Sequence, residues 1–159
     1  MSHFLRPLLA RSPVAPVLIN ERTGAVVADT LEAAFDSGAR RRGLLGRDDL
    51  AAGAALVLAP CNAVHTCRMR FPIDVMFVTR DGRVTKIVPR LAAWRAAASF
   101  QAFATIELRG GAIEDADLTI GDHLVVVSRE VRNLHSGREH RLVPDRHGGV
   151  KKSAPGTNT

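Results

Sequence analysis

The chain predicts a mainly β domain, a β-sandwich or barrel-like body with one packed α-helix. Seven or eight short apolar runs are separated by turn residues, and only one stretch carries a clear helical spacing. Strands and helices do not alternate along the chain, which disfavours a parallel βαβ fold. The sharpest local signal is Asp81-Gly82, set between the β-rich runs 73–78 and 83–88 as in a tight hairpin.

Taken in order, residues 1–13 read as an irregular leader. Residues 14–20 (VAPVLIN) are β-like, with Pro16 favouring an edge position. Residues 21–24 (ERTG) turn the chain, and residues 25–28 return it to complete a first hairpin. Asp29 then opens the helix. Glu32, three residues on, matches a capping box, and Leu31, Ala34 and Phe35 share a helical face. The helix is expected to reach about residue 41, weakened by Gly38. Arg40, Arg41 and Arg42 complement its C-terminal dipole, and Gly43 stops it. Residues 44–53 form a loop, residues 54–59 a strand closed by Pro60, and residues 61–69 read as a further strand. Beyond the Asp81-Gly82 hairpin, residues 89–99 carry mixed signals. Residues 103–108 form a strand closed by Gly110-Gly111, residues 112–117 a short helical or turn segment, and residues 123–128 a last β-run after Gly121-Asp122. The β domain thus covers residues 14–131, and residues 132–159 read as a basic, disordered tail.

A chain of 159 residues suits one domain with a proper core. Aromatics are only 4% and Tyr is absent, so that core must be built from Val, Leu, Ile and Ala. The net charge of +6 is uneven: residues 129–159 hold seven Lys or Arg against three acids. A solvated tail is the simpler reading of that excess. The rest of the chain lacks the interleaved aromatic and basic residues of a single-strand platform, so nucleic acid is disfavoured as a partner. No run reaches the ~18 apolar residues of a membrane span. Arg6, Pro7 and Arg11 interrupt any secretory signal, leaving the cytoplasm as the expected compartment and Cys61 and Cys67 as free thiols.

Asp74 is the first candidate for chemistry. In a strand it shares a face with Met76 and Val78, while Ile73, Val75 and Phe77 take the other face. A carboxylate in so apolar a layer needs hydrogen bonds or a cation. It either pins a loop by accepting backbone N–H bonds or joins Arg47, His65, Arg68 and Arg70 in a ligand site. Arg47, next to Gly46, either holds an anion through its guanidinium fork or pairs with Asp48, Asp49 or Asp74. Cys61, His65 and Cys67 fall on one face if their segment is a strand, but their spacing matches no zinc signature, and neither metal nor cofactor is expected. Cys67 and His65 lack the third, orienting group of a nucleophile–base pair. Glu107 faces Arg109 or a cleft, and Asp122 organises a turn.

Five pieces stand in a recognisable order: RRGLLGR at residues 41–47, HTCRMRFPIDVMFV at 65–78, DGRV at 81–84, ATIELRGG at 104–111 and IGDHL at 120–124. Over about residues 20–128 the chain resembles the bacterial and archaeal family called Domain of Unknown Function 192. That resemblance implies a compact sandwich-like barrel with a helix packed on it, and implies no activity. Many members carry a Trp-Met-Lys-Asn-Thr type segment where this chain has His65-Thr66-Cys67-Arg68-Met69, so no role of that Trp or Lys carries over.

The functional expectation is a non-enzymatic binding domain. Arg47, His65, Arg68, Arg70 and Asp74 would line a cleft for a small anionic ligand, an acidic peptide or a protein partner. Two alternatives stand beside it. One is a hydrolase-like or other enzyme using Asp74 or Glu107 as base with His65. The other is an accessory protein of a secretion or pilus assembly, which rests on the family resemblance alone.

Overall fold

A computed structural model describes residues 3–9 and 15–129; the expected tail at 132–159 lies outside the described residues. The architecture is mainly β, with one sheet sandwiched between two covering layers. A three-stranded antiparallel sheet has the order β10-β1-β2, with β1 at Pro16–Asn20, β2 at Val26–Ala28 and β10 at Leu124–Ser128. A five-stranded sheet has the order β3-β4-β9-β6-β7, with β3 at Thr30–Ala34, β4 at Ala54–Leu58, β6 at Ile73–Val78, β7 at Val84–Leu91 and β9 at Ala104–Arg109. A short ribbon pairs β5, Ala63–His65, with β8, Ala96–Ala98. Among the described residues there are three brief helices: α1 at Arg6–Leu9, α2 at Ser37–Arg42 and α3 at Ala112–Asp115. Among the described residues no sheet closes into a barrel. None of these helices is long and apolar enough to cross a membrane.

The five-stranded sheet is covered on both faces, and the period-2 alternation of its strands divides the core in two. Ala55 and Val57 of β4, Met76 and Val78 of β6, and Ala104, Ile106 and Leu108 of β9 face one layer. There they meet Leu18, Val27, Leu124 and Val126 of the three-stranded sheet, Leu5 beside α1 and Ile113 of α3. Leu56 and Leu58, with Ile73, Val75 and Phe77, face the second layer, built from Leu44 and Leu50 of the loop after α2, Val64 of β5 and Met69. Every residue of β6 is buried, which explains why that strand reads as a continuous apolar run apart from Asp74.

Several expectations need correction. Residues 29–41 do not form one helix. Thr30–Ala34 is a strand, parallel to Ala54–Leu58, and the N–H groups of Asp29 and Thr30 donate to the Gly53 carbonyl (2.9 and 3.1 Å). Burial of Leu31 and Ala34 on opposite faces of the sheet outweighs their helical spacing. The helix begins seven residues later, where the Asp36 side chain accepts from the Ala39 N–H (2.8 Å), and it ends as expected at Gly43, whose N–H donates to the Ala39 carbonyl. The connection β3–α2–β4 is therefore a parallel crossover inside a mainly antiparallel sheet. Pro16 is not on an edge: β1 lies between β2 and β10, and Pro16 is tolerated as the strand's first residue. Within the expected irregular leader, Arg6–Leu9 forms α1, and the preceding Phe4 and Leu5 are buried in the core. Residues 61–69 hold only the three-residue strand β5 before the chain turns.

The Asp81-Gly82 hairpin is present and docks against β10. The Gly82 carbonyl accepts from the Leu124 N–H (2.9 Å), and Arg83 bridges His123. Gly82 has φ of +96°, and a Cβ there would collide with the Leu124 carbonyl oxygen. Gly82→Ala is expected to destabilise the fold by about 2–3 kcal/mol, through a left-handed backbone and a displaced β10 contact. Urea unfolding checks this, and a loss under about 0.5 kcal/mol would show that the turn and β10 are not coupled.

Candidate functional site

The sequence-predicted site residues do not form one cluster. Asp74 is fully buried on the face toward the three-stranded sheet, and its partners are backbone amides. Its Oδ1 accepts from the Arg90 N–H (2.7 Å), and its Oδ2 accepts from the N–H groups of Gly111 (3.0 Å) and Ile113 (2.9 Å). The reason is local. On the β7 side, Ile73 pairs with Leu91 and Val75 with Val88, so Pro89 and Arg90 together stand opposite Asp74 as a bulge. Pro89 has no N–H, and Arg90 sits at φ of +48°. On the other side Gly111, at φ of +96°, starts the turn into α3. Asp74 ties the bulge to that turn. Of its two expected roles, the geometry matches loop-pinning, without Arg47, His65, Arg68 or Arg70 among its bonded partners.

Arg47 makes a two-pronged pair with Glu32 of β3 (2.8 and 2.6 Å) rather than with Asp48, Asp49 or Asp74. That pair holds the Glu32 carboxyl below the usual range. Arg70 pairs at the surface with Asp48. Arg68 is exposed at φ of +65°. His65, exposed at the end of β5, is the member of the predicted set that lines a cavity.

That cavity, of about 320 Å³, opens between α2, β5 and the second face of the five-stranded sheet. Its mouth carries Arg41, Arg42 and His65, all exposed. Its walls include Leu44, Leu58 and Met69, all buried. Glu107, on the central strand β9 and only 4% exposed, forms the floor. The Arg40 guanidinium is committed to the Phe35 and Ala59 carbonyls, whereas the Arg41 and Arg42 side chains make no hydrogen bond or ion pair among the described residues. The Cys61 thiol lies at the edge of the cavity and donates to the Ala63 carbonyl.

Glu107 follows from the strand period. It faces Leu56 on β4 and Val75 on β6, and Leu56 in turn faces Glu32 on β3, so one row runs across the sheet from Glu32 to Val75. Oε2 of Glu107 is buried without a hydrogen-bond partner. Burial pushes its carboxyl up to about 7, opposed by the nearby Arg47 charge. The expected choice between Arg109 and a cleft is thereby resolved: Arg109 pairs with Asp115, and Glu107 lines the cleft. The arginines of α2 escaped the sequence reading as site residues because the misplaced helix assigned them to dipole compensation. A basic triplet directly before Gly-Leu-Leu was the available signal.

Cys61, His65 and Cys67 do not share one strand face, because β5 covers only Ala63–His65. Among the described residues no group of three His, Cys, Asp or Glu gathers as a metal site would require. Asp122 organises a turn as expected: Arg22, Asn20 and the Thr119 N–H donate to it, and the Arg22 bond foremost holds its carboxyl well below the usual range.

Comparison with known proteins gives the following. The family model DUF192, described as "Uncharacterized ACR, COG1430", matches residues 18–126. A solved structure from Sinorhizobium meliloti 1021, provisionally described as a transcription regulator, is similar with a TM-score of 0.61 at 20% identity, covering 74% of this chain and 98% of that one. A protein of unknown function from Novosphingobium aromaticivorans DSM 12444 is similar with a TM-score of 0.62 at 22% identity, covering 72% of this chain and 90% of that one. At these identities the likeness concerns the fold. No curated protein matches.

Two outcomes are expected of the two carboxyls. Asp74→Ala leaves the N–H groups of Arg90, Gly111 and Ile113 without their acceptor and should cost about 3–5 kcal/mol in urea unfolding, with Asn costing about half. Unchanged hydrogen exchange at Gly111 and Ile113 would contradict the pinning role. Glu107 adds a pH dependence. Its folded value, about 7, lies above the ordinary 4.5, so its contribution is fully present below about pH 4.5 and is lost as pH rises to about 7. Glu107→Gln should remove that decline, on the order of 3 kcal/mol, from the stability–pH curve. Parallel curves for parent and variant across this window would show that Glu107 is not held in a dry site.

Proposed function

The chain belongs to the Domain of Unknown Function 192 family, and from that premise we propose that it is a non-enzymatic binding domain whose α2–β5 cavity takes a small anionic ligand. One observation carries this reading: a cavity with exposed arginines at its mouth and a buried carboxyl without a hydrogen-bond partner at its floor. Guanidinium groups match carboxylate and phosphate oxygens, and exposed ones capture an anion without first breaking an internal bond. The volume, about 320 Å³, sits at the lower end of ligand cavities, so the occupant is small. Its buried apolar walls suit a ligand with some hydrocarbon.

A second reading, an enzyme using Glu107 with His65, draws support from two facts. Both groups line the same cavity, and Glu107 titrates near 7, where a general acid or base works best. The other carboxylate weighed for that role, Asp74, has its oxygens committed to amides on the opposite face of the sheet. The two readings part over the ligand's fate: a binding domain returns it unchanged.

A heteronuclear NMR titration of the full chain with acetate, pentanoate, pyruvate and inorganic phosphate tests the proposal. At least one anion should shift the amides around Leu44, Val64, His65 and Glu107. The Arg41→Ala/Arg42→Ala double variant should bind it about tenfold more weakly, as loss of two charge-assisted contacts at an exposed mouth implies. If no anion in the panel moves those resonances, the cavity is not an anion site. Loss of the ligand's own signals with appearance of a product would favour the enzyme.

A further inference from the structure

We propose that Glu107 is the specificity-determining donor of this cavity and that the ligand is a small oxo acid: its carboxylate at Arg41 and Arg42, its hydrocarbon along Leu44, Leu58 and Met69, and a carbonyl oxygen accepting the Glu107 proton at the floor. This deepens the anion-binding reading and rests on it. The order of the three groups follows from exposure. Arg41 and Arg42 are exposed, the leucines and Met69 are buried, and Glu107 is 4% exposed with Oε2 unpartnered. A ligand entering from solvent meets the cations first and the carboxyl last.

The surroundings of Glu107 decide which chemistry it offers. From β4 and β6 it is faced by Leu56 and Val75, which neither donate nor accept. On its own strand, Thr105 Oγ1 donates to the Cys61 carbonyl and Arg109 pairs with Asp115. From the loop after α2, Arg47 acts through its charge while both prongs of its guanidinium stay on Glu32 of β3. From α2 and β5 come Arg40, Arg41, Arg42 and His65, with the Cys61 thiol at the edge. The charged groups reaching the cavity are thus cationic, apart from Glu107 itself. An amine would be repelled at the mouth. A protonated carboxyl at the floor offers an O–H, and a neutral carbonyl oxygen is a ligand group that accepts it without adding a second cation. Desolvation favours that protonated form.

The probes are levulinate and pentanoate, acids of equal chain length that differ by one carbonyl, titrated into the full chain by NMR across pH. The parent should bind levulinate about five- to tenfold more tightly than pentanoate below about pH 6, the worth of one hydrogen bond in a largely dry site. This preference should vanish well above pH 7, once Glu107 has lost its proton. Glu107→Gln, whose amide always donates, should keep the preference and lose its pH dependence. Glu107→Leu should bind both acids alike. Equal affinity of the parent for both acids at every pH overturns the inference and leaves the anion-binding reading standing. Failure of the parent to bind either acid, phosphate or pyruvate overturns both. If Glu107→Leu does not fold, the parent's pH profile and Glu107→Gln still decide, because a merely structural glutamate would not make the choice between the two acids depend on pH.

Discussion

The three inner strands of the five-stranded sheet, β4, β9 and β6, are buried on both faces, and that constraint governs their polar residues. A strand with one wet face can turn a carboxylate outward; these inner strands cannot. Asp74 and Glu107 lie on the paired strands β6 and β9, one residue out of register, and so they point to opposite layers. Both are almost wholly removed from solvent. One finds backbone amides for both of its oxygens, and the other finds none for Oε2. The architecture answers one buried carboxyl with structure and leaves the other at a cavity.

The difference traces to backbone geometry on the two sides. The layer facing Asp74 includes two places where the chain leaves the sheet ladder: the bulge at Pro89–Arg90 and the turn at Gly110–Gly111. Each releases an N–H that no strand can take up, and a carboxylate with two oxygens can accept several such bonds at once. Asp74 therefore lets β7 bend and α3 begin at the same end of the sheet. The layer facing Glu107 is made of side chains from α2, its following loop and β5. Side chains cover a sheet less completely than a second sheet does, and the cavity is the gap they leave.

Much of the fold was legible in the sequence because its strands obey local rules. The Asp-Gly hairpin, the apolar run of β6, and strands β4, β9 and β10 were visible from turn chemistry and burial pattern. The segment around Thr30–Ala34 was not, because Leu31, Ala34 and Phe35 fit a helical face and a strand equally well. What decides is the parallel partner β4, more than twenty residues away, which no local rule reports. The site fared likewise. Asp74 was visible as an anomaly in an apolar run, but its N–H partners lie sixteen to thirty-nine residues further along. Arg68 and Arg70 stand close to Asp74 in sequence, and the turns after β5 carry them away from it, while Arg47 is held by Glu32. Arg41 and Arg42 reach the cavity because the helix starts at Ser37 rather than Asp29.

The row across the sheet explains how the unpaired state of Glu107 is kept. Glu32, Leu56, Glu107 and Val75 stand on successive strands β3, β4, β9 and β6, with Leu56 between the two glutamates. Arg47 could in principle serve either acid. A direct bidentate bond to Glu107 would favour the charged carboxylate and fill the floor of the cavity with guanidinium. Instead both prongs go to Glu32, at the half-exposed margin of the sheet, where solvent screens the pair. Arg47 then reaches Glu107 only through space, and its charge moderates the desolvation of the carboxyl without cancelling it. Glu32 thereby acts as a holder: by retaining the arginine, it leaves the floor of the cavity free to exchange a proton near neutrality.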